Sequence, residues 1–417
     1  MKELSESKIE IFKDFKGKTP AYVHFEEDII KNLNILKSFP NEFGLIVRFA
    51  MKANPNLSLL KLMNNNGIWI DASSTNECYR AMAAGIEPNH ILLTSQDVPS
   101  EEVLNDLVKK GVEFNATSLT QLELYGKLFP RSEISIRFNI GIGSGWNTYT
   151  ATGGENSSFG IYKQRDEIKS IIKKYNLTLK RVHLHIGSGS DPIKQKEATI
   201  EGLKLIEEFD TASILNLGGG FKIARVYGEK QTDVVELGNA VREEIKKFYK
   251  KTNRKIQIEI EPGGYAIGNQ VYIVGTIIDI VTTGRYDFIK LDTGMTDNTR
   301  IAMYGAQHPI YQIESHKDSI EKDYVIVGPC CESGDIITCK PNNPEEIDTV
   351  KLKEPKMGDL IVIGGAGAYC SSMASFNYNS KQKSVEYLVR KNGNIDLIRK
   401  KQELENVWAD DILLKNI

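Results

Sequence analysis

Short apolar runs rich in β-branched residues recur through the first two thirds of the chain, at 44–51 (GLIVRFAM), 68–72 (IWIDA), 90–95 (HILLTS), 112–116 (VEFNA), 134–140 (ISIRFNI), 180–187 (KRVHLHIG), 213–217 (SILNL) and 256–261 (IQIEIE). Their length and continuity predict eight strands covered on both faces. Between them the apolar positions fall at helical spacing, as in NLSLLKLMNNNG, TNECYRAMAAG, SEEVLNDLVKKG, LTQLELYGKLF, RDEIKSIIKKY and KEATIEGLKLIEEF. Several of these segments open on Ser, Thr or Asn and close on Gly, the residues that cap helix ends. Eight βα units in a row predict a closed parallel (β/α)8 barrel in preference to an open doubly wound sheet. After about residue 270 the pattern changes to short strands separated by Gly, Pro and Asp, such as QVYIVGTIIDIVTTG, DYVIVGP and DLIVIGG, which predicts an antiparallel β-domain.

Composition narrows the function. The 417 residues, 41% hydrophobic and 26% charged, suit two packed domains, and a formal charge of -2 gives no basic field for nucleic acid or an acidic membrane. A small-molecule partner is expected. The five cysteines, Cys78, Cys330, Cys331, Cys339 and Cys370, show no paired Cys-x-x-Cys spacing, so neither a disulfide framework nor a structural zinc site is indicated. The N-terminal residues mix acid and base with no apolar core of signal length, and the longest apolar run is too short to span a bilayer, so the cytoplasm is expected and no metal is called for.

In a barrel of this kind the chemistry sits at the C-terminal ends of the strands. Those ends carry Lys52, the DASSTNE stretch from Asp71, HLHIGSGS from His183, NLGGGF from Asn216 and EIEPGGY from Glu259. A rim lysine desolvated in a pocket is a usable nucleophile, although a lone lysine after a strand is more often a solvated charge. Gly218, Gly219 and Gly220 let backbone N–H groups approach an anion, and a helix N-terminus beyond them would add its dipole; alone, such a triplet is more often a tight turn. His185 offers a flat ring, or else is a satisfied core histidine. Glu261 ends a buried strand where a carboxylate needs a partner.

Taken in order, FAMKAN, HLHIGSGS, NLGGGF, EPGG, GPCCESGD (328–335) and GAGAYCSSMASFNYN (365–379) resemble the motifs of the fold-type III pyridoxal-phosphate decarboxylases, the alanine-racemase-like barrel enzymes, and within them the diaminopimelate decarboxylases. The resemblance runs along nearly the whole chain. It implies pyridoxal 5'-phosphate as cofactor, with Lys52 joined to its aldehyde, His185 stacked on its ring and Glu261 on the ring nitrogen. Ser188, Gly218 to Gly220, backbone groups near Gly263 and the hydroxyl of Tyr369 would hold the phosphate. It further implies Cys331 as the acid that returns a proton to the α-carbon, donated across a homodimer. Glu332 would meet the substrate's distal amine, Arg300 and Tyr304 its distal carboxylate, with Tyr369 also beside the substrate. The implied reaction is meso-diaminopimelate to L-lysine and CO2, completing a biosynthetic pathway. Residues 1–32 are expected to pack with the C-terminal domain, 33–270 to form the barrel and 271–417 the β-domain.

Two positions depart from the pattern. The family usually reads Glu-Pro-Gly-Arg where this chain has Gly264, and often a lysine where it has Ser158. The first departure removes a carboxylate- or phosphate-gripping cation and leaves open another diamino or modified amino acid as substrate. The stretch GIGSGWNTYTATGGENSS, from 141, is read as a mobile loop over the site. A racemase or a non-catalytic regulatory relative fits less well, because the cofactor residues and GPCCESGD are all present.

Overall fold

The structure, a computed structural model, describes residues 4–144, 153–188, 191–314 and 319–414. The chain divides into two compact units: a barrel unit of Ile30–Ile223 and Lys230–Ala266, and a β unit of Met1–Ile29, Ala224–Glu229 and Ile267–Ile417. Of the loop expected over the site, 141–158, residues 145–152 lie outside the described residues.

A first strand, β1 (Ala21–Phe25), belongs to the β unit. The barrel follows, from β2 (Leu45–Ala50), β3 (Trp69–Ala72), β4 (Ile91–Leu93), β5 (Glu113–Ala116) and β6 (Glu133–Asn139), through a two-residue β7 (Ile161–Tyr162), to β8 (Thr178–His183), β9 (Ile214–Asn216) and β10 (Gln257–Ile260). Strand β7 pairs only with β6. The other eight are parallel, and β10 pairs with β2 while β5 pairs with β6, so the ring closes. Each of the eight apolar runs is a barrel strand. The helices start where their caps predict: Asn56, Ser74, Ser100 and Ser118 each accept a hydrogen bond from a backbone N–H of the first turn. The helix Glu101–Lys110 also has glutamates in its first turn, lysines in its last, and Gly111 at φ 109 to close it.

The β unit adds β11 (Val271–Thr282), β12 (Asp287–Leu291), β13 (Ile310–Gln312), β14 (Glu321–Val327), β15 (Cys339–Lys340), β16 (Asn343–Ile347), β17 (Val350–Lys353), β18 (Leu360–Ile363), β19 (Val385–Val389) and β20 (Ile395–Arg399). The main sheet runs β17-β14-β12-β11-β1-β19-β20, with β18 joined to β11 and β13. Most pairs are antiparallel, as the turn-rich sequence predicts. Two are parallel, β1 with β19 and β12 with β14. Parallel pairing needs a long connection, which local turn residues do not signal. Phe12 and Phe15, from or just after the helix Glu6–Lys13, pack in the core of this sheet with Val23, Phe25, Tyr272 and Val362. Residues 224–229, read from sequence as barrel, group here because Arg225 Nε donates to Gly365 O and Asn269 Nδ2 to Ala224 O.

Asp297 is buried in the β unit, its Oδ1 accepting from Ser384 Oγ at 2.6 Å and Oδ2 from Thr293 Oγ1 at 2.8 Å. Burial raises its carboxyl to about 6, against the pull of the two hydroxyls. Because the folded value lies above the unfolded one, the folded chain holds the extra proton, and stability falls as pH rises from about 4 through about 6. Asp297→Asn is therefore expected to abolish that slope and to be the more stable protein at pH 8, by up to roughly 3 kcal/mol. Denaturant midpoints at pH 4.5 and pH 8 for both proteins check this; equal slopes refute it.

Candidate active site

Lys52 sits two residues beyond β2's end, in a one-turn helix, Met51–Ala53, whose flanking side chains are buried while its own is exposed. Its charge acts on Asp71, near the end of β3, on Glu77 in the helix that follows, and on His185, beyond β8. These groups therefore share one end of the barrel.

His185 is held by its backbone neighbours. Its Nδ1 accepts from the N–H of Gly219 at 3.0 Å, leaving the ring proton on Nε2. Burial, then Arg137 and Lys52, push its pKa well below the usual histidine value, so the ring is neutral at neutral pH. The glycines permit this approach: a Cβ on Gly218 would lie 2.7 Å from His185 Nδ1, and one on Gly219 would lie 2.7 Å from Glu261 O. This differs from the sequence expectation in two respects. The N–H of Gly218 donates to Asn216 Oδ1 at 2.8 Å and that of Gly219 to His185, so those two donors are committed within the barrel. No helix follows the triplet directly either; the next one begins at Val234, and Asp233 caps it. The triplet thus serves first by lacking side chains. Ser188 is half-buried on the loop after β8, and Gly263 is buried after β10.

Glu261, just beyond β10, is a fixed carboxylate. Its Oε1 accepts from Asn216 Nδ2 at 2.6 Å, and His183 Nε2 lies 3.0 Å from its Oε2. Asn115 Nδ2 lies 2.5 Å from His183 Nδ1, which places the histidine proton on Nε2, facing Glu261. Burial alone would raise this carboxyl; His183 and Asn216 bring it below the ordinary value instead. Asp71 is the opposite case: burial and the Glu261 charge push it well above the carboxylate range, with Lys52 opposing, and its Oδ1 is buried without a hydrogen-bond partner. Arg137, on β6, is also buried; burial lowers it to about 10, with Glu261 and Asp71 drawing it back up.

Beneath this rim lies a buried ion cluster. Arg48 Nη2 donates to Glu113 Oε2 at 2.7 Å and Nε to Glu259 Oε2 at 3.2 Å, while Arg181 Nη2 donates to the same two carboxylates at 2.8 and 3.0 Å. Asn216 Nδ2 also reaches Glu259, at 3.1 Å, so the cluster continues into Glu261. Burial would raise Glu259, yet the two guanidiniums pull it to about 2.

The remaining predicted residues lie in the β unit. Arg300 and Tyr304 share the helix Thr299–Tyr304. Cys331 is exposed, its N–H donating to Asn379 Oδ1 at 2.7 Å. Glu332, beside it, accepts from Gly334 N at 3.1 Å and from Tyr378 OH at 3.4 Å. Burial and Asp335 push the Cys330 thiol to about 12, which keeps it protonated and unreactive. Tyr369 adopts φ 61, a left-handed conformation costly for a side chain of its size, so its surroundings hold it there. Among the described residues no group of three or more His, Cys, Asp or Glu could hold a metal ion, and no helix is long and apolar enough to cross a membrane. Sequence reading placed Asp71, His183 and Asn216 at strand ends without giving them a role, and did not single out Arg137 or Arg225; the available signal was a polar residue interrupting or ending an apolar run.

A closed barrel that gathers a lysine, a neutral imidazole, a glycine run and an anchored carboxylate at one end has the parts of a pyridoxal-phosphate enzyme. Residues 28–268 match the model for the pyridoxal-dependent decarboxylase, pyridoxal binding domain, and the chain belongs to that family. It is 36% identical over 400 residues to the diaminopimelate decarboxylase of Buchnera aphidicola subsp. Schizaphis graminum, covering 94% of each chain. It is 32% identical over 407 residues to that of Escherichia coli K12, again covering 94% of each. Among solved structures, a diaminopimelate decarboxylase superposes with a TM-score of 0.87 at 30% identity, covering 97% of this chain and 96% of the other. The Helicobacter pylori diaminopimelate decarboxylase complexed with L-lysine gives 0.83 at 27% identity, covering 96% and 98%.

The ion cluster makes a testable demand. Arg48→Met leaves Glu259 buried with one guanidinium fewer, an imbalance that typically costs about 3–5 kcal/mol. Since Glu259 is depressed in the folded state, its stabilisation is present above the unfolded value of about 4.5 and lost as pH falls through about 2. The variant should melt lower at pH 7 and begin its acid unfolding at higher pH, as read by circular dichroism. A melting temperature unchanged within a degree would show that Arg48 is not a required counter-ion.

Proposed function

We propose that the protein decarboxylates meso-diaminopimelate to L-lysine and CO2, using pyridoxal 5'-phosphate. The observation that carries this is the Glu261 carboxylate, kept anionic by His183 and Asn216 on the same rim as Lys52 and His185. Similarity to diaminopimelate decarboxylases over 94% of the chain supports the choice of substrate.

The rim fits a phosphorylated pyridine aldehyde on chemical grounds. It offers an amine, a neutral flat ring, an anion for a protonated ring nitrogen, and backbone stripped of Cβ atoms. When bound, pyridoxal phosphate supplies the ring that takes up the electron pair left by departing CO2. Lys52 would hold the aldehyde through its amine. His185 would stack on the ring, and Glu261 would keep the ring nitrogen protonated. Ser188, Gly218, Gly219, Gly220, Gly263 and Tyr369 would hold the phosphate, with Gly218 and Gly219 contributing space rather than N–H groups, since those are engaged within the barrel. In the substrate Glu332 takes the distal amine, while Arg300 and Tyr304 take the distal carboxylate; Tyr369 also borders it. Cys331 delivers a proton to the α-carbon, and in this reading it comes from the second subunit of a homodimer working in the cytoplasm. Glycine at 264, where the family usually has arginine, favours one alternative: decarboxylation of another diamino or modified amino acid.

Purified holoenzyme offered meso-diaminopimelate, L-lysine, L-ornithine and L-arginine is expected to release CO2 fastest from the first; faster release from any other would overturn the substrate. Lys52→Ala should lose the visible absorbance of lysine-bound cofactor. Cys331→Ala should keep that absorbance while forming L-lysine roughly a hundredfold more slowly.

A further inference from the structure

Two guanidinium groups lie close together in the β unit, and among the described residues no carboxylate is paired to either. Arg300 is buried, and its Nη1 is 2.9 Å from His308 Nε2. His308 Nδ1 donates to Gly364 O at 2.9 Å, so Nε2 is free to accept from Arg300. Burial, then Arg300 and Arg225, push His308 well below the usual histidine value and keep it neutral. It therefore orients Arg300 without neutralising it. Arg225 is half-buried; its Nε donates to Gly365 O at 3.1 Å, and its Cδ would lie 3.0 Å from a Cβ at Gly365.

The acid nearest to Arg225 in sequence is already engaged. Glu229 Oε2 accepts from the backbone N–H of Arg225 at 2.6 Å and of Val226 at 3.4 Å, so it closes the loop. Cys370, also close to both guanidiniums, is kept protonated by burial. Among the described residues neither Arg225 nor Arg300 forms an ion pair with a carboxylate. Burial and the Arg300 charge lower Arg225 to about 9, a strain that an incoming anion relieves.

We propose that Arg225 and Arg300 form a two-guanidinium receptor for the distal carboxylate of the substrate, and that Arg225 supplies the charge this chain lacks at position 264. Paired planar forks suit a carboxylate, which can accept from both. Space does not explain the glycine at 264, since a Cβ there meets no atom within 4 Å. The proposal rests on the decarboxylase reading above and narrows it to amino acids with a carboxylate at the far end.

The test compares wild-type, Arg225→Gln and Arg225→Lys holoenzymes, using L-lysine and 1,5-diaminopentane as competitive inhibitors. The two ligands differ only in the carboxylate. In Arg225→Gln, the inhibition constant for L-lysine and the KM for meso-diaminopimelate should both rise roughly ten- to hundredfold. The diaminopentane constant, the cofactor absorbance and kcat should change by less than about threefold, and Arg225→Lys should recover part of the L-lysine affinity. Unchanged L-lysine inhibition in both variants, or equal weakening of both inhibitors, overturns the receptor. Wild-type enzyme that releases no CO2 from meso-diaminopimelate overturns the substrate reading instead, and that assay uses neither variant.

Discussion

The pairing of Arg48 and Arg181 with Glu259 inside the barrel is the interaction on which the rest of the site depends. Two cations and a carboxylate fully withdrawn from water are tolerable only if each is matched. The match here extends upward through one amide, Asn216, whose Nδ2 is shared between Glu259 and Glu261 and whose carbonyl holds the N–H of Gly218. The position of the upper carboxylate and the path of the glycine run are thus both set from below. A buried network of this kind gives little net stability but allows few alternative arrangements, so it fixes where the Glu261 carboxylate lies.

The two units divide the chemistry by type. The barrel holds groups whose charge is settled by burial: an anionic Glu261, a neutral His185 and a raised Asp71. The β unit holds charged side chains that are not matched in this way: Arg225 and Arg300, near each other, and Glu332 at the surface. Carboxyl groups with opposite shifts, Glu261 lowered and Asp71 raised, are the pattern by which one rim supports both an anion and a proton store.

Much of this was legible in the sequence. Every barrel strand stood out as an apolar run because parallel strands are covered on both faces, and the helix starts stood out because Ser and Asn cap them locally. Lys52, His185, the glycine triplet and Glu261 could be placed because strand ends map to one rim. The buried ion cluster could not be seen. Arg48, Arg181 and Glu259 look like interruptions of apolar strands, and only closure of the ring brings β2, β8 and β10 into register so that they face one another. His183 was hidden by its better-placed neighbour two residues on. Arg225 was hidden because the carbonyl it hydrogen-bonds, that of Gly365, is 140 residues away, and because a six-residue segment leaves the barrel sequence to join the other unit.

Strand β1 has a consequence for how the chain is made. Its two neighbours, β11 and β19, begin at residues 271 and 385, so on the ribosome this strand is made long before either and has both edges filled only after residue 385 has emerged. Until then Ala21–Phe25, buried along its entire length in the finished fold, is an apolar ribbon with open backbone on both sides. The barrel strands can all pair while this ribbon still has open edges, so the β unit is the later of the two to close its sheet.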